Sequence, residues 1–238
     1  MNILKPQQKW YQSTGGAIFL GIIIFFLVAG ILFMGLVGYF LYNIKYGDTN
    51  TLFNKYGNNN QIEKKSINTE NFIHDHNPIF GPSTALVTIF AFEDFECPFC
   101  RQSFPIMKKI KEKYGPAIRI IFKHTPIVGI HPDSLLAHIA STCAQDQNKF
   151  WEYYDLLYTY QKLDKDSLLS YAESLAINNS KFQQCLETNT NLNNIETDLK
   201  DAAQIGLQGT PTYLVNGKQI QGVLSEDDWS NLILQELK

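Results

Sequence analysis

The stretch "FEDFECPFCRQSFP", residues 92–105, holds the residue types best suited to chemistry: Cys97 and Cys100, separated only by Pro98 and Phe99. Three uses of such a pair compete. A structural zinc site takes four ligands, usually two closely spaced pairs. The other cysteines, Cys143 and Cys185, stand alone, with no ligand two residues away, so no metal is expected. A structural disulfide inside the motif would close a very tight loop. A redox centre needs a cysteine at a helix N-terminus, where the helix dipole and free backbone N–H groups stabilise the reactive thiolate. "RQSFPIMKKIKEKYG", residues 101–115, has helical character and ends at Gly115-Pro116. Pro98 suits a first helical turn, where its missing N–H needs no partner. The redox reading therefore leads: Cys97 is the nucleophile, and Cys100, one turn on, resolves the mixed disulfide.

The surrounding elements fit that placement. "ALVTIFAF" (85–92) reads as a buried strand running straight into the motif, and "IRIIFKHTP" (118–126) as a second strand after the helix, giving a βαβ unit. From Asp133 to about Ala203, apolar residues recur at three- and four-residue spacing, the pattern of helices. "TPTYLVNGKQIQG" (210–222) reads as strand, Asn-Gly turn and strand. "SEDDWSNLILQEL" closes the chain as a helix capped by Ser225. The order predicts an α/β thioredoxin fold over 81–238, with a helical insertion at about 131–203.

The N-terminal part differs. Between Lys9 and Lys45 no residue is charged. Residues 17–42 are long enough to cross a bilayer as a helix, after a short segment 1–16. Trp10 and Tyr11 before this run, and Tyr39, Tyr42 and Tyr46 at its end, suit the two interfaces. A cleaved signal peptide would have a shorter apolar region and a small-residue cleavage site, so an uncleaved single anchor is expected. Lysines on the two sides nearly balance and do not orient it. Residues 43–80, rich in Asn, Gly and charge, read as a linker in which His74 and His76 are solvated. The net charge of −3 and the lack of a Lys/Arg block argue against nucleic-acid binding.

Taken together, "GPSTALVTIFAFEDFECPFC", "FKHTPIVGIHPDSLLAHIASTCAQDQNKFWEYYDLLY", "FQQCLE" and "IGLQGTPTYLVNG" resemble the DsbA-like bacterial thiol–disulfide oxidoreductases in order and spacing, over residues 79–238. The resemblance implies that Pro211 is cis. It also implies that Thr210 and Pro211, with Pro98 and Phe99, border the substrate groove, and that Cys143 and Cys185 form a second, non-catalytic disulfide. It places the domain outside the cytoplasm, held at a bacterial cytoplasmic membrane. It implies monomers that act on unfolded exported proteins and are reoxidised by a quinone-linked membrane partner, with no cofactor.

Two positions depart from the family. Oxidases often carry His where Phe99 stands. Many relatives have a buried acid six residues before the first cysteine, where this chain has Ala91. Glu93 or Glu96 could substitute, although strand alternation can aim them elsewhere. His124 and His131 match family positions and are read as structural. These departures keep open a reductase or isomerase of the same fold; a non-catalytic thioredoxin-fold binding module is the rival from another class.

Overall fold

A computed structural model of the chain describes residues 14–46 and 69–238, which fall in two units. Residues 1–13, with Trp10 and Tyr11, and residues 47–68 of the expected linker lie outside the described residues.

The first unit is one helix, α1 (Thr14–Tyr46), uninterrupted over 33 residues. Its window Ile22–Tyr39 has a mean hydropathy of 2.6 and no burial against protein. At about 1.5 Å per residue, the helix exceeds the hydrocarbon thickness of a bilayer.

In the second unit, the alternating and β-branched runs form a five-stranded sheet. Its strands are β1 (Ile79–Phe80), β2 (Val87–Glu93), β3 (Ile118–His124), β4 (Thr212–Val215) and β5 (Lys218–Gln221), in spatial order β1-β3-β2-β4-β5. β2 and β3 are parallel, with Glu93 opposite His124; β4 runs antiparallel to β2, with Thr212 opposite Phe92. The βαβ crossover is α2 (Pro98–Tyr114), with Pro98 in its first turn. α2 and the terminal α8 (Glu226–Glu236) cover one face, packing Met107, Ile110, Trp229 and Ile233 on Ile89, Ala91 and Ile120. Ser225 caps α8 by accepting from the Asp228 N–H.

The insertion comprises α3 (Ser134–Gln145), α4 (Phe150–Tyr160), α5 (Lys165–Ser174), α6 (Asn179–Thr188) and α7 (Leu192–Gln204). Its core is continuous with the redox motif: Phe95, Cys97 and Cys100 are buried in the same cluster as Phe122, Phe150, Tyr154 and Tyr158. α7 lies over the other sheet face, where Phe72, Phe90, Phe92, Ile121 and Ala202 pack. A Cys143–Cys185 disulfide (S–S 1.99 Å, Cα–Cα 5.8 Å, 42 residues apart) ties α3 to α6. Loop-closure entropy for that spacing corresponds to about 4 kcal/mol.

One expectation is corrected. The last residues of the 43–80 segment do not act as linker. Phe72 is buried, the Phe122 N–H donates to the Pro78 carbonyl at 3.0 Å, and β1 pairs with β3. His74 and His76 are not simply solvated. Their Nε2 atoms lie 2.8 Å from Asp201 Oδ2 and 3.1 Å from Asp198 Oδ1, and the Asn77 amide donates to Asp198. Local composition reads as polar because the partners are more than a hundred residues away.

Candidate active site

β2 delivers the motif. Its backbone leaves the sheet at Glu93, and Asp94 ties down the turn that follows. Asp94 accepts from the Glu96 N–H (2.9 Å), the Ser134 hydroxyl (2.5 Å) and the Ile127 N–H (2.8 Å), and its Oδ2 lies 2.8 Å from His131 Nδ1. His131 is therefore an anchor for the loop beside the motif rather than a group facing the thiols. Glu96 accepts from the Asp133 N–H at 2.8 Å and points to that same loop, so it does not fill the buried-acid position. His124 lies deeper, its Nδ1 2.9 Å from that of His138, both rings buried and held neutral chiefly by burial; the His138 pKa falls to about 3.

Cys97 is the N-cap of α2 and Pro98 follows in its first turn. Both thiols are free and buried, whereas Phe99 is 59% exposed and stands at the rim. Opposite them, the Thr210–Pro211 peptide is cis and the Thr210 carbonyl accepts from the Cys97 thiol at 3.3 Å. Cys97 thus meets Pro98, Phe99, Cys100, Thr210 and Pro211 in one place. The second pair, Cys143–Cys185, belongs to the insertion.

The two thiols have opposite acidities. Cys97 falls from 9.0 to about 5. A hydrogen bond from Cys100 is the largest cause. Burial opposes it, and the Thr210 side chain and the Cys100 and Phe99 N–H groups add to the lowering. The Thr210 hydroxyl is otherwise a buried polar atom without a partner, so the nascent thiolate is its natural acceptor. Cys100 moves well above 9.0, through burial first, then its bond to Cys97 and the nearby Glu93 charge; the Asp94 N–H, 3.5 Å from its sulfur, works the other way.

Glu93 is the acid that the position of Ala91 lacks. Residues 91 and 93 lie on the same face of a strand, so moving the acid two residues along keeps it facing α2. Its carboxylate is buried and caged by phenols. Tyr154 and Tyr158 donate to Oε2 at 3.0 and 3.1 Å, and Tyr213 to Oε1 at 3.3 Å. Burial pushes the acid from 4.5 up to about 7, against the lowering effect of these hydrogen bonds and the Lys111 charge. Sequence reasoning missed the three tyrosines, Asp94 and Lys111. The i, i+2 spacing of Ala91 and Glu93 was the signal for Glu93, but nothing local marks residues 154, 158 and 213 as partners of residue 93.

A thioredoxin fold that sets a CxxC pair at a helix N-terminus against a cis-proline defines a thiol–disulfide exchange protein. The thioredoxin family model matches residues 74–235, and the chain belongs to that family. Among solved structures, oxidised BdbD from Bacillus subtilis is 25% identical, covers 68% of this chain and 93% of its own, and superposes with a TM-score of 0.60. The thiol–disulfide exchange protein α-DsbA2 from Wolbachia pipientis shares the fold at 20% identity and a TM-score of 0.65, covering 74% of this chain and 96% of its own. A chain named Na(+)/H(+) antiporter NhaA 3 from Salinispora tropica is 34% identical over 149 residues, 62% of this chain. That segment is only 23% of the antiporter's length, so the present chain spans about a quarter of the curated relatives it matches.

Proposed function

We propose that the chain is a membrane-anchored, extracytoplasmic oxidase that donates the Cys97–Cys100 disulfide to exported proteins. The observation that carries the reading is the seat of Cys97 at the N-cap of α2, against Cys100 and Thr210, where its pKa is lowered to about 5; a stabilised thiolate favours the reduced motif and makes its disulfide a stronger electron acceptor. A substrate thiolate attacks Cys97 Sγ; the Cys97–Cys100 bond breaks and Cys100 leaves, taking a proton from the Glu93 carboxyl. A second substrate thiolate then attacks the substrate sulfur of the mixed disulfide and expels Cys97 as thiolate. The substrate loses two electrons and the motif gains them. The backbone at Thr210, cis-Pro211 and the exposed Phe99 suit an extended, unfolded segment crossing the thiols. A quinone-linked membrane partner would return the motif to the disulfide, and no further cofactor is required. The apolar run of α1 supports an anchor within residues 17–42, with the monomeric redox domain beginning near residue 70 rather than 81.

A redox titration of the full chain in detergent, in glutathione buffers with thiol labelling read by mass spectrometry, tests the direction. A Cys97–Cys100 potential near about −120 mV marks a disulfide donor, and one near about −270 mV a reductant, which would overturn the oxidase reading. Resistance of the chain to alkaline carbonate extraction tests the anchor.

A further inference from the structure

Lys111 sits three helical turns beyond Cys100 on α2, and its surroundings are unusual for a lysine. Its Nζ lies 4.2 Å from the Trp151 ring centroid, 5.2 Å from Tyr154 and 5.3 Å from Phe80, inside cation–π range of three rings. The cage is braced: Trp151 donates to the Ile79 carbonyl at 3.2 Å and meets Phe80 edge-on. Helical side chains tilt toward the N-terminus, so the lysine stem leans toward the redox end of α2. Between Lys111 and Glu93 lies a small cavity, also lined by Ala91, Phe122, Trp151 and Tyr154, with room for about one water molecule. Tyr154 joins both sides: its ring faces the ammonium while its hydroxyl donates to Glu93.

We propose that Lys111 is a positioning residue of the redox site. Held in the three-ring cage across the cavity, it sets the charge of the Glu93 carboxylate and, through it, proton exchange with Cys100. This rests on Glu93 being the proton donor to Cys100 as given above. Glu93 also faces Tyr154, Tyr158, Tyr213 and Cys100, but none of these is a cation. Lys111 in turn faces Glu93 from β2, Asp155 from α4 and Lys108 from its own helix, and Lys108 is itself 3.7 Å from Asp155. Asp155 favours the lysine's charge, as Glu93 does, while burial works against it, and Lys108 also acts against it. The cavity below Ala91 is where a bulkier side chain would separate the two charges; alanine leaves it open.

The test is the ionisation of Glu93 itself, read in the full chain in detergent as the carboxyl infrared band of the reduced protein titrated with pH and assigned by its loss in Glu93→Gln. In Lys111→Met, which keeps the stem in the cage, the midpoint should rise by about one pH unit. Lys111→Arg, which keeps the charge, should return it to the wild-type position. Lys111→Gln serves as the second neutral variant if methionine impairs folding, as monitored by circular dichroism. A midpoint that ignores both neutral variants overturns the proposal and leaves Glu93 in place. An equal shift in the arginine variant also overturns it, because packing rather than charge would then be responsible. If no band titrating near neutrality disappears in Glu93→Gln, Glu93 is not the proton donor, and the reading beneath the proposal fails with it.

Discussion

Lys123 and Glu93 are both fully buried, one on β3 and one on β2, on opposite faces of the same sheet, and their surroundings differ in kind. Lys123 Nζ lies 2.6 Å from Asp198 and 2.7 Å from Asp201 and donates to the Phe72 carbonyl and Asn77. His74 and His76 meet the same two oxygens, Asp201 Oδ2 and Asp198 Oδ1, and the His124 N–H donates to Asp198 Oδ2. For Asp198, burial alone would raise the pKa, but His76, His124 and Lys123 outweigh it and hold the acid far below its ordinary range. Among the described residues, Glu93 is hydrogen-bonded by phenol hydroxyls and faces Lys111 across a cavity, and burial drives it to about 7. A buried charge with direct opposite charges is fixed at any physiological pH. One left under-compensated titrates where proton transfer is useful.

The largest effect expected from this contrast comes from breaking the paired site. Lys123→Met leaves two carboxylates buried together, and loss of one member of a buried ion pair costs about 3–5 kcal/mol. Urea unfolding of the full chain in detergent reads it, and the Cys97 pKa should not move. A loss below about 1 kcal/mol, the range of exposed pairs, would mean the cluster is not locked.

The under-compensated site has the opposite signature. The folded pKa of Glu93, about 7, lies above the ordinary 4.5, so the native state binds this proton more tightly than the unfolded chain. Its contribution to stability is whole below the unfolded value and is lost as pH rises through the folded value. The difference corresponds to about 3 kcal/mol. Glu93→Gln, which keeps an acceptor for the tyrosines, should therefore be the more stable protein at pH 8 and should lack this part of the slope. A variant with an unchanged pH–stability curve would break the comparison, because Glu93 would then be ionised and solvated like any surface acid.

What the sequence revealed follows the range of the interactions. The strand–CPFC–helix–strand order, the Asn-Gly hairpin and the Ser225 cap depend on residues a few positions apart and could be read directly. The 70–80 segment could not, because Asn77, His74 and His76 are polar in isolation and become part of the fold only through Asp198 and Asp201 on α7. Glu93 lay between these cases. The sequence reading left its direction open, although its period-2 relation to Ala91 places the two on one face, and its protonation state depends on tyrosines from α4 and β4 and on Lys111 from α2. Phe99 offers no charge where oxidases often carry His, which kept a reductase or isomerase open. In the structure Cys97 owes its acidity to Cys100, the Thr210 side chain and the N–H groups of the helix N-terminus, none of which needs a charge at residue 99.

Cys97 is a third buried charge, midway between the other two, and the smallest effect tests it. Among the described residues it has no cation in contact, but it has donors, and the Thr210 hydroxyl is the one that a conservative change removes. Thr210→Val keeps the shape and the backbone carbonyl that accepts from the thiol. Cys100 and the α2 N–H groups remain, so the Cys97 pKa should rise from about 5 by only part of its total displacement. About one pH unit is expected for one charge-assisted hydrogen bond, which is about 1.4 kcal/mol and about 30 mV toward a weaker oxidant. Ultraviolet thiolate absorbance against pH gives the first quantity and the glutathione titration the second. If both move together, thiolate stability sets the potential. If the pKa rises while the potential holds, the oxidised state must have lost as much, and packing around the motif rather than charge would govern it. If neither moves, the orphan hydroxyl is idle and the helix N-terminus with Cys100 suffices.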